Sequence, residues 1–303
     1  MEGYLASIYV FLTVIFFKIR VLNVKKLQER GVSSKTCLYG QRFALFPTII
    51  LLIISYKPEY LHIIISNPKL ILYIFFMLIF WVSQEFIGFY VMGKISSLSF
   101  LNAFYSIINI PIYMMIGLSV NHDYPNYFTI FSLVILAISM YIKPTHNNKK
   151  NKNMFSHNIL FIIFIASIGI ILDGTNNAFH RELFQNLNAV FFGTGIGMFL
   201  AMLGTYIFFL FSKVPESEKK LLQEENNKWL YFSIAPLWFI GSIPEGFSLA
   251  NIPIYTVLAI GSISFVIDVI SDIKNERIVL NSKTYIFIIL VLISIALSVL
   301  SLK

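Results

Sequence analysis

Of 303 residues, 57% are hydrophobic and only 13% are charged, and the mean hydropathy is +0.76, so water cannot be the only solvent of this chain. A net charge of +8 would point to nucleic acid in a soluble protein, but the basic residues fall in short segments between apolar runs; that pattern reads as membrane topology and argues against a phosphate-binding surface. The single cysteine, Cys37, excludes an internal disulfide and a cysteine-based zinc cage.

A helix needs roughly twenty consecutive apolar residues to cross the hydrocarbon layer. Such runs recur here and are continuously apolar rather than alternating, which predicts helices and not a barrel. The chain opens Met-Glu-Gly, without the basic stretch and small-residue cleavage site of a signal peptide, so the first run is read as a mature helix. The predicted spans are Tyr4–Val21, Cys37–Tyr56, Leu70–Met92, Leu98–Val120 and Tyr127–Ile142, then Asn158–Ala178, Ala189–Phe211, Trp229–Leu249, Ile252–Ile270 and Thr284–Leu302. The polar stretch PTHNNKKNKN divides them into a first unit at 1–143, a basic linker at 144–157 and a second unit at 158–303.

Five spans per unit turn the second unit upside down relative to the first. This is the inverted-repeat design of secondary transporters, whose substrate sites lie near mid-membrane between the halves. A competing reading is that the even spacing reflects only the short loops of any helical bundle. Of the 23 Lys and Arg residues, 18 follow spans one, three, five, seven and nine, Lys18, Arg20 and Lys25 among them. Lys57, Lys69, Arg181 and Lys303 fall on the other face, and Arg42 within a span. The positive-inside rule then predicts an integral protein of the cell membrane with cytoplasmic odd-numbered loops and both termini outside.

Ionisable and polar groups inside the spans are the candidate functional residues, because each costs several kcal/mol at membrane depth unless paired or wetted. Glu85 shares a helix face with Trp81 and Gly88, and two readings fit it: a protonatable carboxylate or cation partner, and a structural ion pair with Arg42. Asn102, Ser106, Asn109 and Tyr113 form one polar stripe beside Pro111, facing either a cavity or a neighbouring helix. Asp173 opens DGTNNAFHRE with Gly169, Asn177 and His180 on roughly its face, an arrangement able to bind a polar solute or pass a proton. His180, Arg181 and Glu182 are expected at a solvated helix end. Gly193, Gly197, Ala201 and Thr205 make a small-residue packing ridge. Pro236, Trp238, Gly241 and Pro244 predict a kinked helix, with Trp238 on a cavity wall or at an interface. Gly261, Ser264 and Asp268 form a stripe in the ninth span, and Asp272 is expected at the water interface.

Taken in order, these segments resemble the EamA-like branch of the drug/metabolite transporter superfamily over nearly the whole chain. The resemblance is carried by GQRFALFP in the second span, GKISSLSFLNAFYSIINIPIYMMI in the fourth, and SISFVIDVISDIKNERIV with the apolar run after it, where Glu276 stands at the family's acidic position and Asp123 near the equivalent place in the first half. It implies ten transmembrane helices as two inverted five-helix repeats around a central pocket. Ten-helix members usually have cytoplasmic termini, and the charge count here says the reverse.

The resulting expectation is an all-α transporter, not an enzyme, moving a small polar organic solute such as an amino acid or amine by alternating access with proton coupling. Glu85, Asp173 and Asp268 would supply negative charge, Asn102, Asn109 and Asn177 hydrogen bonds, and Trp81, Tyr113 and Trp238 aromatic walls. Solute, membrane lipid and protons are the expected partners; nucleic acid, cofactors and metals are not. The alternative is a membrane-embedded enzyme acting on a lipid or isoprenoid, suggested by the aspartates of DVISD at 268 and 272, although no second acidic motif accompanies them.

Overall fold

The computed structural model describes residues 2–95, 98–142, 144, 159–210 and 214–302, with the side chains of 2, 98–107, 159 and 160 outside that description. The expected linker, apart from Pro144, lies outside the described residues, as do the side chains of Asn102 and Ser106. The helices are α1 (Glu2–Glu29), α2 (Ser34–Tyr39), α3 (Leu45–Ser55), α4 (Pro58–Ser66), α5 (Pro68–Lys94), α6 (Leu98–Val120) and α7 (Tyr127–Ile142) in the first half. The second half contributes α8 (Ile159–Leu187), α9 (Val190–Leu210), α10 (Glu216–Gln223), α11 (Glu225–Asn251), α12 (Ile254–Gly261), α13 (Ile263–Lys274) and α14 (Ser282–Leu300).

Local chemistry sets many of the boundaries. Asn67 accepts a hydrogen bond from the backbone N–H of Lys69 and is followed by Pro68 at the first turn of α5, while Asn281 caps α14 through the Thr284 N–H. A 3-10 turn at Gly40–Ala44 joins α2 to α3; the Tyr231 ring lies where a Cβ on Gly40 would stand. The ninth predicted span is not one helix. It breaks at Ser262, whose hydroxyl donates to the Ala259 carbonyl at 2.6 Å, giving α12 and α13.

Seven helical segments among the described residues are long and apolar enough to cross a membrane: α1, the run from α2 to α3, α5, α8, α9, the run from α12 to α13, and α14. Over α6 and α7 the described apolar stretches are shorter, 108–120 and 127–142, and α11, at 27 residues, is more polar. Large apolar side chains cover the outside, with Phe46 73%, Ile53 70% and Ile54 79% exposed. A water-soluble surface does not carry so continuous an apolar cover, whereas lipid favours it. The chain is therefore an α-helical membrane protein.

Two helices run longer than expected, and that changes what their polar residues do. Nothing in VLNVKKLQE stops α1 at Val21, and it continues two turns to Glu29, carrying Lys25 into the bundle. Helix α8 continues from Ala178 to Leu187, held by the Asn121 amide on the Ala178 carbonyl and by Arg181 on the carbonyls of Leu249 and Ile252.

In the packed bundle α1 lies along α11, α5 along α8, α3 along α9 and α7 along α14. Further contacts join α5 to α9, and the 3-10 turn to α11. Between α7 and α14 the contact is reciprocal: Ser132 Oγ donates to the Ser294 carbonyl, and Ser294 Oγ to the Ser132 carbonyl, each at 2.9 Å. The expected ridge on α9 is a packing surface, with Gly193 against Phe184 and Gly197 against His180.

Candidate functional site

A cavity of about 430 Å³ opens inside the bundle, walled by α1, α5, α6, α8, α11, α12 and α13. Its floor of rings is made by Trp81 of α5 and Trp238 of α11, which meet edge to face at 4.8 Å between centroids. Trp238 is thus a cavity residue and not an interface anchor. Around these rings stand Lys18 and Arg20 from α1, Gln84 and Glu85 from α5, Asn109 from α6, Asp173, Asn177 and His180 from α8, Glu245 from α11 and Ser264 from α13.

The charges divide into two sets. In the first, each cation faces a carboxylate. Arg20 grips Glu85 through both terminal nitrogens, one of them at 3.2 Å, and Gln41 donates to the same carboxylate at 3.1 Å. The guanidinium also stands 5.1 Å from the Phe89 ring centroid. Lys18 pairs with the fully buried Asp268. In the second set, Asp173 accepts a hydrogen bond from the Tyr113 hydroxyl, to which the Asn177 amide donates at 3.3 Å, and it has no cation partner among the described residues. Glu245 makes no hydrogen bond or ion pair among the described residues. Pro244, lacking an N–H, leaves the carbonyl one turn before it without its helical donor beside this carboxylate, within a helix that continues to Asn251.

Several expectations are corrected. Glu85 pairs with Arg20, not Arg42; Arg42 instead stacks over the Tyr39 ring at 3.6 Å. Lys18 and Arg20 are buried residues of α1 rather than loop charges, and Lys25 joins them because α1 extends past its expected end. His180 lines the cavity and Arg181 is buried, since α8 continues for nearly two turns beyond them. Asp272 is buried as well, with Arg277 at 3.7 Å.

Of the expected substrate residues, Trp81, Glu85, Asn109, Asp173, Asn177 and Trp238 come together on the cavity wall. Tyr113 stands behind Asp173, and Asp268 behind Lys18, neither on the wall itself. Lys18, Arg20, Gln84 and Glu245 were not among the expected residues. For Glu245 a signal existed: it is an ionisable residue seven positions beyond Trp238, hence on the same helix face.

At two helix ends a cation closes the backbone. Lys25 donates to the carbonyls of Met92 and Ile95, at 2.9 and 2.5 Å, at the end of α5. Arg181 donates to those of Leu249 and Ile252, at 2.8 and 2.6 Å, at the end of α11. Positive charge at a helix C-terminus satisfies carbonyls that have no partner in the helix. Arg181 also reaches Asp123 in the segment between α6 and α7 at 3.1 Å; burial pushes that carboxyl above its usual range, with Arg181 pulling the other way.

No protein-family profile matches the sequence, and no curated protein matches it. Nineteen chains among solved structures do match. One of them, described only as the crystal structure of a protein, is 10% identical and superposes with a TM-score of 0.65 over 97% of this chain and 97% of its own. That likeness shows a shared fold and carries nothing about activity.

Proposed function

We propose that the protein is a secondary transporter that carries a small organic cation or zwitterion, such as an amine or amino acid, by alternating access. The observation that carries this reading is the charge balance of the central cavity. Lys18 and Arg20 are each matched by a carboxylate, while Asp173 and Glu245 face the space without an ion-pair partner among the described residues. A solute ammonium supplies what these carboxylates lack, and the two tryptophans offer it ring faces. An anionic solute would have to break an existing ion pair to bind, so sugar phosphates fit poorly.

The reading includes ten crossings in two inverted repeats, as in the EamA-like transporters the sequence resembles. What supports it is the pattern of helix pairs. Exchanging α1 for α8, α3 for α9, α5 for α11 and α7 for α14 turns the pair α1 with α11 into α8 with α5, and leaves α3 with α9 and α7 with α14 unchanged. Trp81 to Trp238, Met92 to Leu249 and Ile95 to Ile252 are each a step of 157 residues, so the touching tryptophans and the two capped helix ends occupy equivalent positions. The reciprocal serine contact is what an axis relating two such halves produces. The lipid-enzyme alternative loses its motif, since Asp268 and Asp272 each face a cation of their own.

Purified protein in liposomes, given a panel of labelled amino acids, amines and sugar phosphates, tests the reading. Uptake of at least one cationic or zwitterionic compound is expected, falling at least tenfold in Asp173→Asn and in Glu245→Gln. Uptake confined to anions, or unchanged in both variants, would overturn it.

A further inference from the structure

Beside the main cavity, between α5, α8, α9 and α11, lies a second and much smaller chamber of about 20 Å³. Three buried polar atoms around it have no hydrogen-bond partner among the described residues: Thr194 Oγ1, Trp238 Nε1 and His180 Nε2. Thr194 and Trp238 are 5% and 1% exposed. Glu245 lines this chamber as well as the main cavity, as do His180, Trp81 and Trp238. Leaving a buried donor or acceptor unpaired costs about 1–3 kcal/mol. Three such groups around a void of this size, whose other walls include the apolar side chains of Phe184, Met198 and Leu249, fit one water, which needs at least about 10–15 Å³ and two to four polar partners.

A sodium ion fits less well. The Trp238 N–H can only donate and so offers a cation nothing, and an imidazole nitrogen is a poor ligand for a hard cation. The packing leaves the space deliberately narrow: a Cβ on Gly246 would collide with Thr194 Oγ1, and one on Gly197 with His180 Nε2. The chamber is also displaced along the bundle. Phe184 and Leu249, which line it but not the main cavity, lie one turn further along α8 and α11, toward the end closed by Arg181.

We infer that this chamber holds a bound water joining Glu245 to His180, and that it is where the transporter handles protons, in a side chamber that shares these two residues with the solute cavity. The inference rests on the transport reading above. The carboxylic acid of Glu245 gives its proton to the water, which gives one to His180 Nε2, leaving a carboxylate and an imidazolium; the return step reverses this. The charged and titratable groups around Glu245 are Lys18 and Arg20 from α1, Glu85 from α5, Asp173 and His180 from α8, and Tyr113 of α6 behind Asp173; no titratable side chain of α9 or α12 lines either space. Thr194 anchors the water without lining the solute cavity, so it separates the two roles.

Infrared difference spectra of the purified protein across a pH titration, with no solute present, test the link directly. A protonated-carboxyl band that disappears in Glu245→Gln should shift in Thr194→Val and return to the wild-type position in Thr194→Ser. A band unmoved by Thr194→Val overturns the chamber water. In liposomes loaded with a pH-sensitive dye, Thr194→Val should keep solute exchange at wild-type KM, while accumulation driven by a pH gradient and the accompanying proton movement fall at least tenfold. If wild type exchanges solute but ignores the pH gradient, the proton role fails and transport stands. If wild type exchanges no compound of the panel, transport itself fails, whatever the infrared band does.

Discussion

At the scale of single residues, the Arg20 and Glu85 pair sets the largest stake. Both groups are largely buried, and removing one partner leaves an uncompensated charge, a loss of about 3–5 kcal/mol. Glu85→Gln should therefore lower the melting temperature in detergent markedly, and Arg20→Met combined with Glu85→Leu should recover most of it; a double variant no better than the single one would show that the pair does not act as a unit. Asp123 gives a pH prediction. Its folded pKa is raised above the unfolded one, so its contribution to stability is present below the ordinary carboxylate pKa and is lost as pH rises through the raised value. Asp123→Asn should flatten the melting-temperature profile in the weakly acidic range, its neutral side chain keeping at higher pH the stability that Asp123 holds only when protonated. Glu85 and Asp173 were legible in the sequence because a carboxylate amid apolar residues stands out at any register. Their partners were not, since Arg20 and Tyr113 lie 65 and 60 positions away and only the packing of α1, α5, α6 and α8 decides who meets whom.

At the scale of elements, two glycines divide packing from function. A Cβ on Gly88 meets nothing within 4 Å and points to the cavity it lines, whereas one on Gly197 runs into the His180 imidazole. Gly88→Ala should hold or raise the melting temperature, given a helix-propensity gain of up to about 1 kcal/mol, and Gly88→Phe should cut uptake by filling the cavity. Gly197→Ala should lower stability; equal melting behaviour in the two alanine variants would contradict the packing described here. Helix positions were readable from apolar runs, because a lipid-facing helix must be apolar over its whole crossing. Helix ends were not: the last two turns of α1 and α8 are polar in sequence, yet Lys25 and Arg181 find backbone carbonyls inside the protein, which makes a polar turn stable where a hydropathy pattern ends. The break at Ser262 was equally hidden, since the apolar run continues across it.

At the scale of the molecule, the number of crossings has a simple test. An even number puts both termini on one side of the membrane and an odd number puts them on opposite sides, so topology reporters on each terminus separate ten crossings from seven. Both are expected outside the cytoplasm. The bias of basic residues survives the burial of Lys18, Arg20 and Lys25, because taking these three from the 18 leaves 15, against Lys57, Lys69, Arg181 and Lys303 on the other face. The long contact of α1 with α11, and of α5 with α8, has a further consequence. Each half lends its first helix to the third long helix of the other, as two hands clasp with fingers interlaced. Neither half could bury its own polar stripe alone. Residues 1–143 and 158–303 made as two separate polypeptides in one cell should thus find each other in the bilayer and purify as a complex, the single chain behaving as a heterodimer whose partners happen to be tethered.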